Sequence, residues 1–131
     1  MALPAAPCHH RHVQARRTVL IVDDHEGFRT AARELLEAAG FVVVGEAGSG
    51  DEGLLAAMAL RPDIVLLDIQ LQGLDGFHVA DRLAREGDPP AVVLVSSRDA
   101  AAYGSRLSRT PARGFIPKAA LSGDALAALM G

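Results

Sequence analysis

Polar side chains that can bind cations or phosphate follow several short apolar runs of this sequence. Asp23 and Asp24 come directly after one run, and Asp68 ends another. Ser96 follows a third run, and Lys118 lies just beyond a fourth. If these runs are parallel strands, their carboxyl ends meet at one edge of a sheet. Three carboxylates, a hydroxyl and an ammonium would then converge in one place.

This set of side chains is suited to phosphoryl chemistry. Neighbouring carboxylates repel one another and favour a bound cation, and oxygen ligands of this kind suit Mg²⁺. The cation would neutralise an incoming phosphoryl group, which one of the carboxylates could then attack. Lys118 supplies a second positive charge, and Ser96 supplies a hydrogen-bond donor for a phosphate oxygen. The residues therefore predict phosphoryl transfer to an aspartate.

Each residue alone also has an ordinary structural explanation. Asp68 could form a turn, Asp23 and Asp24 could cap the helix that follows them, and Ser96 could cap the next helix along. Lys118 could be a surface lysine. Polar residues at four strand ends of one predicted sheet are harder to explain as four separate caps. The combination favours a functional site.

Five apolar runs must position these residues. They are continuous and rich in β-branched residues, a pattern typical of parallel strands buried on both faces. The predicted strands are Thr18–Val22, Phe41–Val44, Ile64–Leu67, Val92–Val95 and Gly114–Ile116.

Segments with helical spacing of apolar residues lie between and after the runs. The predicted helices are Gly27–Ala39, Leu54–Leu60, Phe77–Ala84, Asp99–Ser108 and Ser122–Met130. Ser49 and Glu52 form a capping-box pattern before the second helix, whereas Gly104 weakens the fourth. Strict alternation of five strands and five helices predicts one α/β domain built on an open, doubly wound parallel sheet. We expect no second domain in this sequence.

Composition restricts the class of protein. The chain of 131 residues fits one domain, and its net charge of −3 lacks the basic excess of nucleic-acid-binding surfaces. Cys8 is the only cysteine, which excludes an intrachain disulfide and fits a reducing compartment, so we expect a cytoplasmic protein. No apolar run approaches the roughly 18–20 residues needed to span a bilayer, so we expect no membrane association.

Residues 1–17 differ from the rest. They contain two prolines, three histidines and three arginines without helical or alternating periodicity, so we predict a disordered leader before a domain at 18–131. Cys8, His9, His10 and His12 could bind a soft metal ion. Four ligands within five positions seldom complete a tetrahedron, and we favour the disordered leader.

Four segments of the sequence resemble the receiver domains of two-component response regulators. The segments are VLIVDDHEGFR, RPDIVLLDIQLQGLDGF, VVLVSSRD and GFIPKAAL. The resemblance spans residues 18–131 and is strongest to receivers of regulators with a helix-turn-helix output domain, the LuxR/NarL type. It implies a flavodoxin-like fold, with a five-stranded parallel sheet of order 2-1-3-4-5 and five helices.

The resemblance also implies a role for each site residue. Asp68 would accept a phosphoryl group from a histidine kinase, and Ser96 and Lys118 would contact that group. Ser96 and Phe115 would change position on phosphorylation, although Phe115 is equally well explained as a core residue. The expected Mg²⁺ ligands are Asp23, Asp24, Asp68 and the backbone carbonyl of Gln70.

The expected function is a phosphorylation switch without enzymatic activity toward other substrates. Phosphorylation would alter the face of the fourth helix and fifth strand, which would control a partner or output domain and could form a homodimer. A phosphatase is disfavoured because Gln70 stands where such an enzyme needs a general acid. A docking or dimerisation module that is not phosphorylated stays open, and so does the choice between a stand-alone receiver and part of a longer regulator.

Overall fold

The computed structural model describes residues 17–131, in which five parallel strands form one sheet. The strands are β1 (Thr18–Val22), β2 (Val42–Ala47), β3 (Ile64–Asp68), β4 (Ala91–Ser96) and β5 (Gly114–Pro117). Their spatial order is β2-β1-β3-β4-β5, which confirms the predicted order. The predicted leader lies outside the described residues apart from Arg17, as do Cys8, His9, His10 and His12.

Within the described part of the chain, five α-helices connect and follow the strands. They are α1 (Glu26–Ala38), α2 (Gly50–Leu60), α3 (Gly76–Leu83), α4 (Ser105–Arg109) and α5 (Gly123–Leu129). The predicted cap at Ser49 is confirmed, since Ser49 Oγ accepts from the backbone N–H of Glu52 at 3.2 Å. Ser122 caps α5 in the same way, its Oγ accepting from the backbone N–H of Ala125 at 2.9 Å. Within residues 17–131, no helix has both the length and the apolar character that crossing a bilayer requires.

The chain between β4 and β5 departs from the single helix predicted at Asp99–Ser108. It forms a 3₁₀ turn at Ala100–Ala102 and then the short helix α4. Gly104 separates the two with a φ of +56°, a backbone conformation that glycine adopts at little cost and other residues avoid. The predicted single helix is therefore wrong at Gly104, where the glycine interrupts it.

Strand β2 is longer than the predicted run Phe41–Val44. It continues to Ala47 because Gly45 and Glu46 pair with Leu20 and Ile21 of β1, despite the weak strand preference of Gly and Glu. The Glu46 carboxylate is held by two arginines of α1, Arg33 at 2.7 Å and Arg29 at 3.1 Å. Arg33 lowers the pKa of Glu46, so this edge of the sheet is tied to α1 by charge.

Both faces of the sheet are covered by apolar side chains. Val19 and Ile21 face one core cluster with α1 and α5, whereas Leu20 and Val22 face a second cluster with α2 and α3. Burying each such side chain is worth about 1.5–3 kcal/mol. This packing confirms the continuous apolar pattern predicted for the strands, and it fixes the positions of the polar residues at the strand ends.

Candidate functional site

The predicted polar residues meet at the carboxyl edge of the sheet. Asp23 follows β1, Asp68 is the last residue of β3, and Lys118 follows β5 directly. Lys118 Nζ lies 2.7 Å from Asp23 Oδ2 and 3.5 Å from Asp68 Oδ2. One ammonium therefore contacts carboxylates that are 45 residues apart in sequence.

Three carboxylates and an imidazole form a cluster that could hold a metal ion. One possible ligand atom from each of Asp23, Asp24, His25 and Asp68 lies within 4.8 Å of the others. The side chain of Asp23 is fully buried, and Asp68 is only 2% exposed. Asp23 Oδ2 and Asp24 Oδ1 are buried oxygens that no donor in residues 17–131 meets with hydrogen-bond alignment, although Lys118 and His25 lie close to them. This oxygen-rich set fits a hard divalent cation.

His25 also belongs to this cluster, although it was not among the predicted metal ligands. Its ring Nδ1 lies 3.2 Å from Asp23 Oδ1 and 3.0 Å from Asp24 Oδ1, and its backbone N–H donates to Asp23 Oδ1 at 2.8 Å. His25 occupies the N-cap position of α1, and no side chain caps that helix. Neither Asp23 nor Asp24 is therefore the helix cap that we considered as an alternative.

The carboxyl group of Asp68 has a perturbed pKa. Burial and the neighbouring charge of Asp23 raise the pKa of Asp68 to about 6, and the more distant Asp24 adds to this effect. The Lys118 ammonium and the backbone N–H of Gln70, which donates to Asp68 Oδ1 at 3.2 Å, act in the opposite direction. Ionised Asp68 therefore depends on nearby positive charge.

The Lys118 ammonium also contacts an aromatic ring. Its Nζ lies 4.4 Å from the centroid of Phe28 in α1, a distance typical of a cation–π contact. Phe28 lies in the predicted helix Gly27–Ala39 and was not among the predicted site residues. A contact between α1 and the end of β5 has no local sequence signal.

Arg29 fixes the backbone at the end of β1. Its Nη1 donates to the carbonyl oxygen of Asp23 at 2.7 Å, while its Nε donates to Glu46 in β2 at 3.1 Å. The same guanidinium therefore connects α1, the end of β1 and the edge strand. No local sequence pattern predicts this contact.

Close backbone packing positions the loop after Asp68. Gly76 donates its N–H to the carbonyl oxygen of Ile69 at 2.8 Å. A side chain at Gly76 would place its Cβ 2.7 Å from Ile69 Cα and still closer to the Asp68 carbonyl oxygen. The preceding Asp75 caps α3 by accepting from the N–H of His78 at 3.0 Å. The loop thus returns tightly against the end of β3.

Ser96 is buried at the end of β4 and makes two hydrogen bonds. Its Oγ accepts from the backbone N–H of Arg98 at 3.0 Å and lies 2.5 Å from the hydroxyl of Tyr103. Helix α4 begins only at Ser105, so Ser96 is not the cap of that helix.

Tyr103 lies between two other aromatic rings. Its centroid is 5.8 Å from that of Phe77 in α3 and 6.2 Å from that of Phe115 in β5, and both pairs meet edge to face. Phe115 is partly buried and packs against the second core cluster, so its place is compatible with both expected explanations, a core residue and a residue that moves on phosphorylation. We call Phe77, Tyr103 and Phe115 the aromatic cluster.

Arg106 joins the aromatic cluster to the loop after β3. Its guanidinium lies 4.2 Å from the centroid of Phe77 and donates to Asp75 Oδ2 at 3.2 Å. Burial raises the pKa of Asp75, but the bond from the His78 N–H and the bond from Arg106 outweigh it and lower the pKa overall. No local sequence pattern predicts this bond, because Arg106 and Asp75 are 31 residues apart in the chain.

A cavity of about 570 Å³ lies away from these residues. It is lined by the ends of α2 and α3 and by residues that precede β3 and β4, among them Met58, Arg61, Leu83 and Pro90. These are the amino ends of the strands. The charged residues that could perform chemistry lie at the opposite edge of the sheet.

The sequence and the fold have close counterparts among known proteins. The family model described as response regulator receiver domain matches residues 19–130. The response regulator GacA of Pseudomonas viridiflava is 38% identical over 103 residues, which are 78% of this chain and 48% of that protein. This chain spans about half the length of the relatives that it matches.

Solved structures agree with the family match. A two-component response regulator of the LuxR family from Aurantimonas sp. is 25% identical with a TM-score of 0.73, over 79% of this chain and 74% of that one. The signal receiver domain of a modulated diguanylate cyclase from Desulfovibrio desulfuricans is 34% identical with a TM-score of 0.76, over 88% and 90%.

Proposed function

The chain belongs to the response regulator receiver domain family, and from that premise we propose that Asp68 accepts a phosphoryl group from the phosphohistidine of a sensor kinase. The observation that carries this proposal is the buried cluster of Asp23, Asp24 and Asp68 with Lys118 beside it. The receiver would occupy residues 18–131. Its chemistry would be limited to its own phosphorylation and dephosphorylation, in the cytoplasm.

The proposed reaction is transfer of a phosphoryl group from nitrogen to oxygen. An Asp68 carboxylate oxygen attacks phosphorus and forms a P–O bond while the P–N bond to the kinase histidine breaks. The electron pair of the P–N bond returns to the ring nitrogen, and the histidine leaves as neutral imidazole when its other nitrogen is protonated. Lys118 and Ser96 then contact the oxygens of the transferred group.

A divalent cation fits the same site. Asp23, Asp24, Asp68 and the backbone carbonyl of Gln70 would hold Mg²⁺. The ion would supply positive charge that offsets the repulsion between the carboxylates and the phosphoryl group. Because burial and Asp23 raise the pKa of Asp68, added positive charge would also favour the ionised nucleophile.

The proposed response to phosphorylation involves β4, α4 and β5. A phosphoryl group adds about −1.5 to −2 charges at neutral pH. Ser96 would shift toward it, and the aromatic cluster attached to Ser96 would repack, with Phe115 changing position. The altered face would control an output domain or a partner, and it could pair with a second copy of the chain. Relatives named as transcriptional regulators suggest that transcription is the process controlled.

Mass spectrometry after incubation with acetyl phosphate and Mg²⁺ tests the proposal without a cognate kinase. We expect wild type to gain one phosphoryl mass and Asp68→Asn to gain none. Asp88→Asn is a matched control that neutralises an exposed loop carboxylate, and it should behave as wild type. A folded wild type that gains no phosphoryl mass would favour the docking or dimerisation module that is not phosphorylated.

A further inference from the structure

The hydrogen bonds of Ser96 restrict which way its proton can point. A serine hydroxyl has one proton to donate and two lone pairs that accept. The backbone N–H of Arg98 fills one lone pair at 3.0 Å. The remaining question is whether Ser96 donates to Tyr103 or accepts from it across their 2.5 Å contact.

The two hydroxyls differ in how readily they donate and accept. A phenol, with a pKa near 10, is a much better donor than an aliphatic alcohol. It is also a poorer acceptor, because its oxygen lone pair is delocalised into the ring. The chemically favoured direction is therefore donation from Tyr103 to Ser96. With both lone pairs occupied, the Ser96 proton is left for a third group.

We infer that Tyr103 is a positioning residue for phosphoryl transfer, which orients the Ser96 hydroxyl so that its proton is donated to a phosphoryl oxygen on Asp68. The inference rests on the proposed function, since it requires that Asp68 be phosphorylated. When Ser96 donates to an anion, its oxygen becomes a stronger acceptor, so the bond from Tyr103 strengthens. Phosphorylation thus tightens a contact that is already present.

Because Tyr103 belongs to the aromatic cluster, a change in its hydrogen bond to Ser96 can affect the rings that it contacts. Phe115 has no hydroxyl, so it cannot hydrogen-bond Ser96, and Tyr103 supplies the hydroxyl from the neighbouring segment. Its ring contacts Phe77 in α3 and Phe115 in β5. A stronger hydrogen bond at the Tyr103 hydroxyl would therefore shift the packing of its ring against both Phe77 and Phe115.

The first test removes the hydroxyl and keeps the ring. We expect Tyr103→Phe to slow phosphorylation by acetyl phosphate about 3- to 10-fold, the factor expected for one net hydrogen bond. Ser108→Ala is the matched control, because it deletes an exposed hydroxyl of α4 that bonds only to the carbonyl oxygen of Ser105. We expect that control to react at the wild-type rate.

A double-variant comparison separates positioning from general structural support. If Tyr103 acts through the serine oxygen, Tyr103→Phe should have no further effect on the rate once Ser96→Ala is present. A residue that merely supported the fold would slow the reaction equally in both backgrounds.

The second test uses the tyrosine as its own reporter. The chain has one tyrosine and no tryptophan, so its ultraviolet absorption and emission come almost entirely from Tyr103. We expect beryllofluoride with Mg²⁺, which mimics the acyl phosphate, to shift the Tyr103 spectrum in wild type. The shift should disappear in Ser96→Ala, because the acceptor is gone.

The possible results distinguish the inference from its premise. If wild type is phosphorylated and Tyr103→Phe reacts at the same rate or faster, the inference is wrong while the proposed function stands. An unchanged Tyr103 spectrum on beryllofluoride binding would also overturn it. If wild type gains no phosphoryl group at all, both the proposed function and the inference fail.

Discussion

The carboxyl group of Asp68 is buried beside that of Asp23, so its ionisation opposes folding. Its pKa rises from an ordinary 3.8 to about 6 in the folded chain. Between these two pH values Asp68 is mostly protonated in the folded state and mostly ionised in the unfolded state. The contribution of protonated Asp68 to stability is therefore present at low pH and is lost as the pH rises through about 6.

This relation predicts that neutralising Asp68 stabilises the protein in the absence of a divalent cation. With a chelator at pH 7.5, we expect Asp68→Asn to raise the free energy of unfolding by up to about 3 kcal/mol, the equivalent of its pKa shift. The gain should shrink toward pH 4, where wild-type Asp68 is protonated. Urea denaturation at several pH values measures both effects.

The control for this measurement is again Asp88→Asn, which removes an exposed carboxylate from the loop before β4. It should change the free energy of unfolding by less than about 0.5 kcal/mol at either pH. A gain from Asp68→Asn that is the same at pH 4 and pH 7.5 would contradict the explanation by ionisation.

Among single residues, those at strand ends were the most predictable from sequence. Asp68, Ser96 and Lys118 each follow an apolar run, and the parallel topology then brings such residues to one edge. The contacts of Phe28 with Lys118 and of Tyr103 with Ser96 could not be predicted in this way. They depend on the distance between elements and on side-chain direction, which no local pattern specifies.

At the scale of elements, the connection from β3 to α3 determines where Asp68 lies. The loop turns back so closely that Gly76 packs against the backbone of Asp68 and Ile69. The first turn of α3 therefore lies against the end of the strand that carries Asp68. A change in this packing should alter both stability and reactivity.

Replacement of Gly76 by alanine tests this packing. Because the added Cβ would collide with backbone atoms that cannot move independently, we expect Gly76→Ala to lower the free energy of unfolding by about 2–3 kcal/mol or more. Phosphorylation of Asp68 should slow as the loop is displaced. Gly87→Ala is the matched control, because nothing lies within 4 Å of its Cβ position. If both variants unfold at the same urea concentration, the close packing does not matter.

The elements themselves were predictable wherever local pattern and packing agree. Strands β1 and β3 each contain four consecutive apolar residues and begin where predicted. The prediction was wrong between β4 and β5, where Gly104 takes a positive φ and divides the predicted helix. The predicted second strand was too short, because pairing with β1 extends β2 through Gly45 and Glu46. In both places a tertiary or backbone constraint overrides the helical or strand pattern of the side chains.

At the scale of the whole molecule, burial is unevenly distributed. Strands β1 and β3 lie at the centre of the sheet with helices on both faces. The segment from Ala100 to Arg109 is largely exposed and contacts the second core cluster through Tyr103 and Leu107. The doubly wound fold was predicted because alternating strands and helices allow few arrangements. The uneven burial could not be predicted from the sequence, because it depends on how firmly each helix packs.

Hydrogen exchange should therefore follow this distribution of burial. Without phosphoryl analogues, we expect backbone amides of β1 and β3 to exchange only with global unfolding, and amides of the segment from Ala100 to Arg109 to exchange by local opening at least about tenfold faster. Beryllofluoride with Mg²⁺ should slow exchange in that segment, because the bond from Tyr103 to Ser96 strengthens.

The matched comparison is the same experiment on Asp68→Asn, in which the analogue has no carboxylate to bind and exchange should stay unchanged. Slowing of exchange confined to the residues next to Asp68 would mean that binding of the analogue does not change the α4 segment. Slowing that reaches Leu107 in wild type alone would mean that phosphorylation at one strand end is transmitted across β4 to the α4 face, as an output domain or partner would require.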